Sequence, residues 1–194
     1  FIHLPISRNI NLLKDFECFF KLIFFIFKFK PDLIMTLSPK GGLLGILTSF
    51  ILNVKIRIHY YTGQVWVTKK GFEKKLLKQV DNIIFKMATD CLTDSNLQKK
   101  FLESERVVKK DFLKVLANGS ICGVDTSRFK PNLENREIIR KKLGISIDTI
   151  LLLFLGRLNK DKGILDLADV VNDIIENDKK NISLLIVGPD EENI

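Results

Sequence analysis

Apolar residues recur along this chain in two rhythms, a three-to-four-residue spacing and short unbroken runs, and each change of rhythm predicts a change of element. Phe16, Phe19, Phe20, Ile23 and Phe27 share a helical spacing, which predicts a helix over about 12–29 that packs on a sheet and ends before Pro31. Strands at 32–38 and 55–60 then flank a helix at about 41–52. A helix at 71–87 sets Phe72, Leu76, Leu77, Val80, Ile83 and Ile84 on one face and Lys74, Lys75 and Lys78 on the other. A short strand follows at 90–93, then a helix beginning at Ser95, where Gln98 three residues on gives a capping-box spacing. A strand at 114–117 closes the first unit. The stretch 130–135 reads as a linker, followed by a helix at 134–143 stopped by Gly144. The run 150–155 is continuously apolar, as expected of a parallel strand covered on both faces, and 183–187 reads as a second buried strand. Between them Ile164, Leu167, Ala168, Val171, Ile174 and Ile175 form one helical face. This alternation predicts an α/β protein with parallel sheets in two domains, 1–130 and 131–194.

Charge is unevenly spread over this pattern. Residues 1–114 hold 20 Lys and Arg against 10 Asp and Glu, whereas residues 115–194 hold 11 against 13. A basic first domain suits an anionic membrane surface. Nucleic acid is not expected, because the aromatics sit at core spacing rather than among the basic residues. Three cysteines without Cys-x-x-Cys spacing suggest neither a disulfide framework nor a zinc site, and predict a reducing, cytoplasmic setting. The most hydrophobic window, 16–29, carries Glu17, Lys21 and Lys28 and is too short to span a bilayer, which takes about 20 mostly apolar residues. The chain opens on Phe1 and stops just after the strand at 183–187, so it is expected to be a piece of a longer protein.

The loop after the strand at 150–155 carries the most pointed chemistry. Gly156, Arg157, Lys162 and Gly163 place two cations and two glycines between a strand and a helix N-terminus, where backbone N–H groups and the helix dipole favour an anion. A diphosphate fits that description. The segment resembles the donor-domain signature of retaining family 4 glycosyltransferases: Gly-Arg-Leu, three variable residues, then Lys-Gly. A second block, Lys114 to Pro131, is similar to that family's strand, glycine-rich turn and Gly-Val-Asp segment ending in Arg-Phe-x-Pro, here Gly119, Gly123, Val124, Asp125, Arg128, Phe129 and Pro131. A third, Ser38-Pro39-Lys40-Gly41-Gly42 through Gly45, resembles the loop-to-helix junction of capsule and O-antigen sugar transferases in that family.

The resemblance implies the GT-B architecture, two Rossmann-like domains facing a cleft, both incomplete in this chain. The family's N-terminal glycine-rich loop and late Glu-x7-Glu motif are not in the sequence, so the fragment by itself is expected to be inactive. It implies a transferase moving a sugar from a nucleotide donor, taken to be UDP-linked, to a lipid-linked or saccharide acceptor during bacterial surface polysaccharide synthesis. Arg157 and Lys162, with Gly156 and Gly163, would hold the donor diphosphate. His59, at the carboxyl end of its strand, matches the family's catalytic His, and ligands gather at such strand ends in open parallel sheets. Lys40, Gly41 and Gly42 form a candidate substrate loop. Neither a cofactor nor a metal is expected, and the location implied is cytoplasmic, peripheral at the inner face of the membrane. Two alternatives stand beside this reading: a nucleotide-sugar epimerase of the same architecture, and a non-catalytic nucleotide-binding or membrane-surface module.

Overall fold

The computed structural model describes residues 2–6, 11–178 and 181–194. The chain divides into two compact units, Phe1–Val124 and Asp125–Ile194, parting a few residues before Pro131.

In the first unit, α1 (Leu12–Phe29), β1 (Leu33–Leu37), α2 (Pro39–Ile51), β2 (Ile56–Tyr61), α3 (Gly71–Met87), β3 (Asp90–Thr93) and α4 (Asn96–Ser104) alternate as the sequence predicts. The three strands pair in parallel in the order β1-β2-β3. Local chemistry sets the boundaries. Asn11 caps α1 by accepting from the Lys14 N–H, and Ser95 caps α4 by accepting from the Gln98 N–H. The Gln98 side chain completes no reciprocal box with Ser95: its Oε1 accepts from the Asp94 N–H and the Thr93 hydroxyl, which ties the helix start to the end of β3. The core gathers Tyr61, Trp66, Phe85, Cys91, Leu102, Val107, Val108 and Leu113. Trp66 is buried at 1% exposure and donates to the Asp81 carboxylate at 2.7 Å, while the Tyr61 hydroxyl donates to the Asp81 carbonyl at 2.8 Å.

Several expectations need correction. The face of α1 that packs inward centres on Cys18 and Ile26, and Phe16, Phe20 and Phe27 are exposed together with Phe24. Spacing locates a stripe but does not say which of two apolar stripes turns inward, and α1 is apolar on most of its circumference. In α3 the buried residues are Asp81, Ile84 and Phe85, while Phe72, Leu76 and Ile83 are exposed. Lys74 and Lys78 lie over the Trp66 ring, so part of the expected polar face is packed instead. The predicted strand at 114–117 reduces to a single parallel bridge between Leu92 and Lys114. Beyond it the chain turns at Gly119, whose φ of +95° is left-handed and whose absent Cβ would collide with the Asp94 carbonyl.

The second unit holds α5 (Leu133–Lys142), β4 (Ile150–Leu155), α6 (Ile164–Asp178) and β5 (Ile182–Val187), with β4 and β5 parallel and in register from Ile150↔Ile182 to Leu155↔Val187. Asn132 caps α5 at its start. Gly144 closes it with φ +68° and the bonds Ile145 N–H to Arg140 O and Gly144 N–H to Lys141 O, the paired pattern of a glycine stop. Burial of β4 on both faces is not observed: Ile150, Leu153 and Leu155 are exposed, because a two-stranded pair with α6 beside it leaves part of each strand open.

Candidate functional site

Two sets of residues carry the chemistry, one in each unit. In the first, the register of β1 and β2 sets Thr36 beside His59. His59 is 2% exposed, and its Nδ1 lies 2.8 Å from the Thr36 hydroxyl. The ring meets Tyr61 edge-on with centroids 4.5 Å apart. Burial lowers its pKa from 6.5 to about 4, so the imidazole is neutral near pH 7. The helix above is cut to fit. A Cβ on Gly42 would sit 2.8 Å from His59 Nδ1 and closer still to Cε1, and one on Gly45 would sit 2.6 Å from Thr36 Cγ2. Two glycines three apart on α2 thus make room for the two strand side chains, which fill the space.

That geometry revises the expected substrate loop. α2 begins at Pro39, so Lys40, Gly41 and Gly42 lie in its first turn rather than in a loop. Lys40 reaches Asp15 on α1 at 2.9 Å, and Gly42 makes room for the His59 ring. Thr36 was not singled out in the sequence, since its place beside His59 follows from strand register.

In the second unit, β4 runs into Gly156 and Arg157. The connection does not pass straight into α6: a 3-10 turn, Lys160–Lys162, comes first, and Gly163 ends it in the left-handed conformation at φ +69°. Both cations of the signature lie on this connection. The Arg157 Nη1 donates to Glu191 at 3.0 and 3.2 Å, and Lys162 is exposed. Asn159 is buried and donates to the same Glu191 carboxylate at 3.0 Å. Glu191 is not singled out by the sequence. The loops after β4 and β5 continue the strand pairing beyond the sheet: Gly156 N–H bonds Val187 O, Leu158 N–H bonds Pro189 O and Glu191 N–H bonds Leu158 O. At Gly188, φ +154°, a Cβ would collide with the Gly156 carbonyl.

Parallel α/β units, a buried imidazole on the middle strand β2, two residues short of the carboxyl end where the sequence predicts it, and a Gly-Arg-x5-Gly strand-to-helix connection together define a GT-B-type protein of two Rossmann-like units. Residues 135–194 match the family "Glycosyl transferases group 1". It is 31% identical over 185 residues to the capsular polysaccharide biosynthesis glycosyltransferase CapM of Staphylococcus aureus, covering 95% of this chain and 48% of that protein. It is 28% identical over 188 residues to the UDP-Gal:alpha-D-GlcNAc-diphosphoundecaprenol alpha-1,3-galactosyltransferase of Escherichia coli, covering 96% of this chain and 48% of the relative. The chain therefore spans about half the length of these curated relatives. Among solved structures, Anabaena Alr3699/HepE in complex with UDP-glucose shares the fold at a TM-score of 0.67 and 17% identity, over 89% of this chain and 43% of that one.

Proposed function

We propose that the protein to which this chain belongs is a retaining glycosyltransferase that moves a sugar from a UDP-linked donor to a lipid-linked or saccharide acceptor in bacterial surface polysaccharide synthesis. It works on the cytoplasmic side of the membrane as a peripheral protein. The observation that carries this reading is the Arg157–Lys162 connection between β4 and α6, inside the stretch that matches the transferase family. The UDP-glucose complex of a protein of the same fold and the names of the two relatives support the donor class and the acceptor class. An epimerase would need acidic catalytic groups of its own, and the named sequence relatives are transferases.

In this reading the bond from the anomeric carbon to the donor's phosphate oxygen breaks, and the leaving nucleoside diphosphate gains charge. Arg157 offers it a planar fork and Lys162 a mobile point charge, two complementary kinds of cation. Fixed charge aimed at a developing anion is commonly the largest catalytic contribution. His59 stands in the other unit as a neutral imidazole, almost fully buried and held by Thr36, so it adds no charge; the family resemblance alone gives it a place at the donor sugar.

The test uses the full-length protein with a panel of nucleotide sugars, scoring donor hydrolysis and transfer. Arg157→Ala and Lys162→Ala should each slow transfer by several tens-fold or more, as expected when about 2 to 3 kcal/mol of charge stabilisation is lost. Parental rates in both variants would overturn the diphosphate assignment.

A further inference from the structure

We propose that Glu191 is a positioning residue for the donor diphosphate: it fixes the Arg157 guanidinium by one terminal nitrogen and leaves the rest of the fork for phosphate. The proposal rests on the reading of Arg157 given above. Of the Arg157 guanidinium nitrogens it is Nη1 that donates to the two Glu191 carboxylate oxygens, at 3.0 and 3.2 Å. Nε and Nη2 have no partner among the described residues, so three of the five N–H donors of the guanidinium stay available. That is enough for a two-pronged grip on phosphate oxygens.

The carboxylate is itself anchored. The buried Asn159 side chain donates to Glu191 Oε2 at 3.0 Å, and the Glu191 N–H bonds the Leu158 carbonyl at 3.2 Å. One residue on, Glu192 accepts from the Lys160 N–H at 3.2 Å. Gly188 lets the two loops approach this closely. The acidic turn after β5 is thus clamped to the loop after β4 on both sides of Arg157. With the Arg157 and Glu191 side chains 40% and 31% exposed, the pair adds little to stability, so orientation is the effect to expect of it. An arginine aligned before the donor arrives loses less side-chain freedom when it binds.

Binding of UDP to the full-length protein, measured by titration calorimetry, tests this with Glu191→Ala, Glu191→Gln, Arg157→Ala and the double variant Arg157→Ala/Glu191→Ala. Glu191→Ala should weaken UDP binding about tenfold, the scale of one charge-assisted hydrogen bond. Glu191→Gln, which keeps an acceptor for Arg157, should recover most of that. In the Arg157→Ala background the Glu191→Ala change should add nothing, because its effect runs through the guanidinium. An unchanged or tighter affinity in Glu191→Ala, or a loss of the same size in the Arg157→Ala background, overturns the positioning role and leaves the diphosphate reading intact. If Arg157→Ala itself binds UDP as the parent does, both fall together.

Discussion

His59 and Asp81 are two buried titratable groups in one unit, and burial moves them in opposite senses. His59 falls from 6.5 to about 4, and Asp81 rises from 3.8 to about 6 against the lowering effect of the Trp66 hydrogen bond. Between pH 6.5 and 4 the unfolded chain binds a proton at His59 that the folded unit refuses, so this residue makes stability fall as pH falls. Asp81 does the reverse: between about 6 and 3.8 the folded unit holds a proton that the unfolded chain has released, so stability rises as pH falls. The two contributions oppose each other from about pH 6 down to 4. Asp81→Asn should uncover the His59 slope, giving urea midpoints that decline steadily from pH 6.5 to 4 where the parent is nearly level. Identical pH profiles for parent and variant would show that one of the two buried groups is not held as described. His59 stood out in the sequence through the family resemblance, although β2 runs two residues past it to Tyr61; Thr36, Asp81 and Glu191 did not stand out. Each acquires its role from a partner at least 15 positions away in sequence, His59 for Thr36, Trp66 for Asp81 and Arg157 for Glu191, and spacing along one element carries no trace of such a pairing.

At the scale of elements, the strand and helix order could be read almost completely, because caps and breakers act over three or four residues. Asn11, Ser95, Asn132 and Gly144 sit where the sequence's own grammar puts helix ends. What escaped was the assignment of faces. α1 carries aromatics around most of its circumference, so periodicity could not choose between Cys18–Ile26 and Phe16–Phe27 as the buried side. The 3-10 turn at Lys160–Lys162 was also missed, since three polar residues before a glycine look the same whether they coil or begin the helix. Gly188 is the point of closest approach between the loops after β4 and β5. With φ +154° and no space for a Cβ against Gly156, Gly188→Ala should destabilise the joined loops by about 1–3 kcal/mol, as overpacking does. The same change should weaken UDP binding by pulling Glu191 off Arg157. Calorimetric melts and UDP titrations check the two effects, and parental values in both would mean that the loops can part without consequence.

Over the whole chain, the unequal distribution of charge meets an unequal distribution of exposed apolar surface. α1 exposes Phe16, Phe20, Phe24 and Phe27, with Lys14, Lys21 and Lys28 on the same helix, inside the unit that holds most of the basic excess. Among the described residues no helix is long and apolar enough to cross a membrane. An exposed apolar helix with basic residues is a kind of surface that lies in a bilayer interface. The full-length protein should sediment with anionic vesicles and not with neutral ones, each well-placed Lys or Arg adding about 1 kcal/mol. High salt should release it as the screening length shortens to about 3 Å at 1 M. Equal and negligible sedimentation under all conditions would remove the membrane from the proposed function.

The burial of Trp66 has a practical consequence for watching this chain unfold. It is the only tryptophan, and the only two tyrosines, Tyr60 and Tyr61, lie beside it in sequence within the first unit. Near-ultraviolet absorption and intrinsic emission therefore report on residues 1–124 alone, while the second unit is optically silent above the phenylalanine band. Far-ultraviolet dichroism sees the helices of both. A melt followed by the two signals at once separates the units without any label: coincident transitions mean that they unfold together, and a dichroic step without an emission change is the second unit opening by itself.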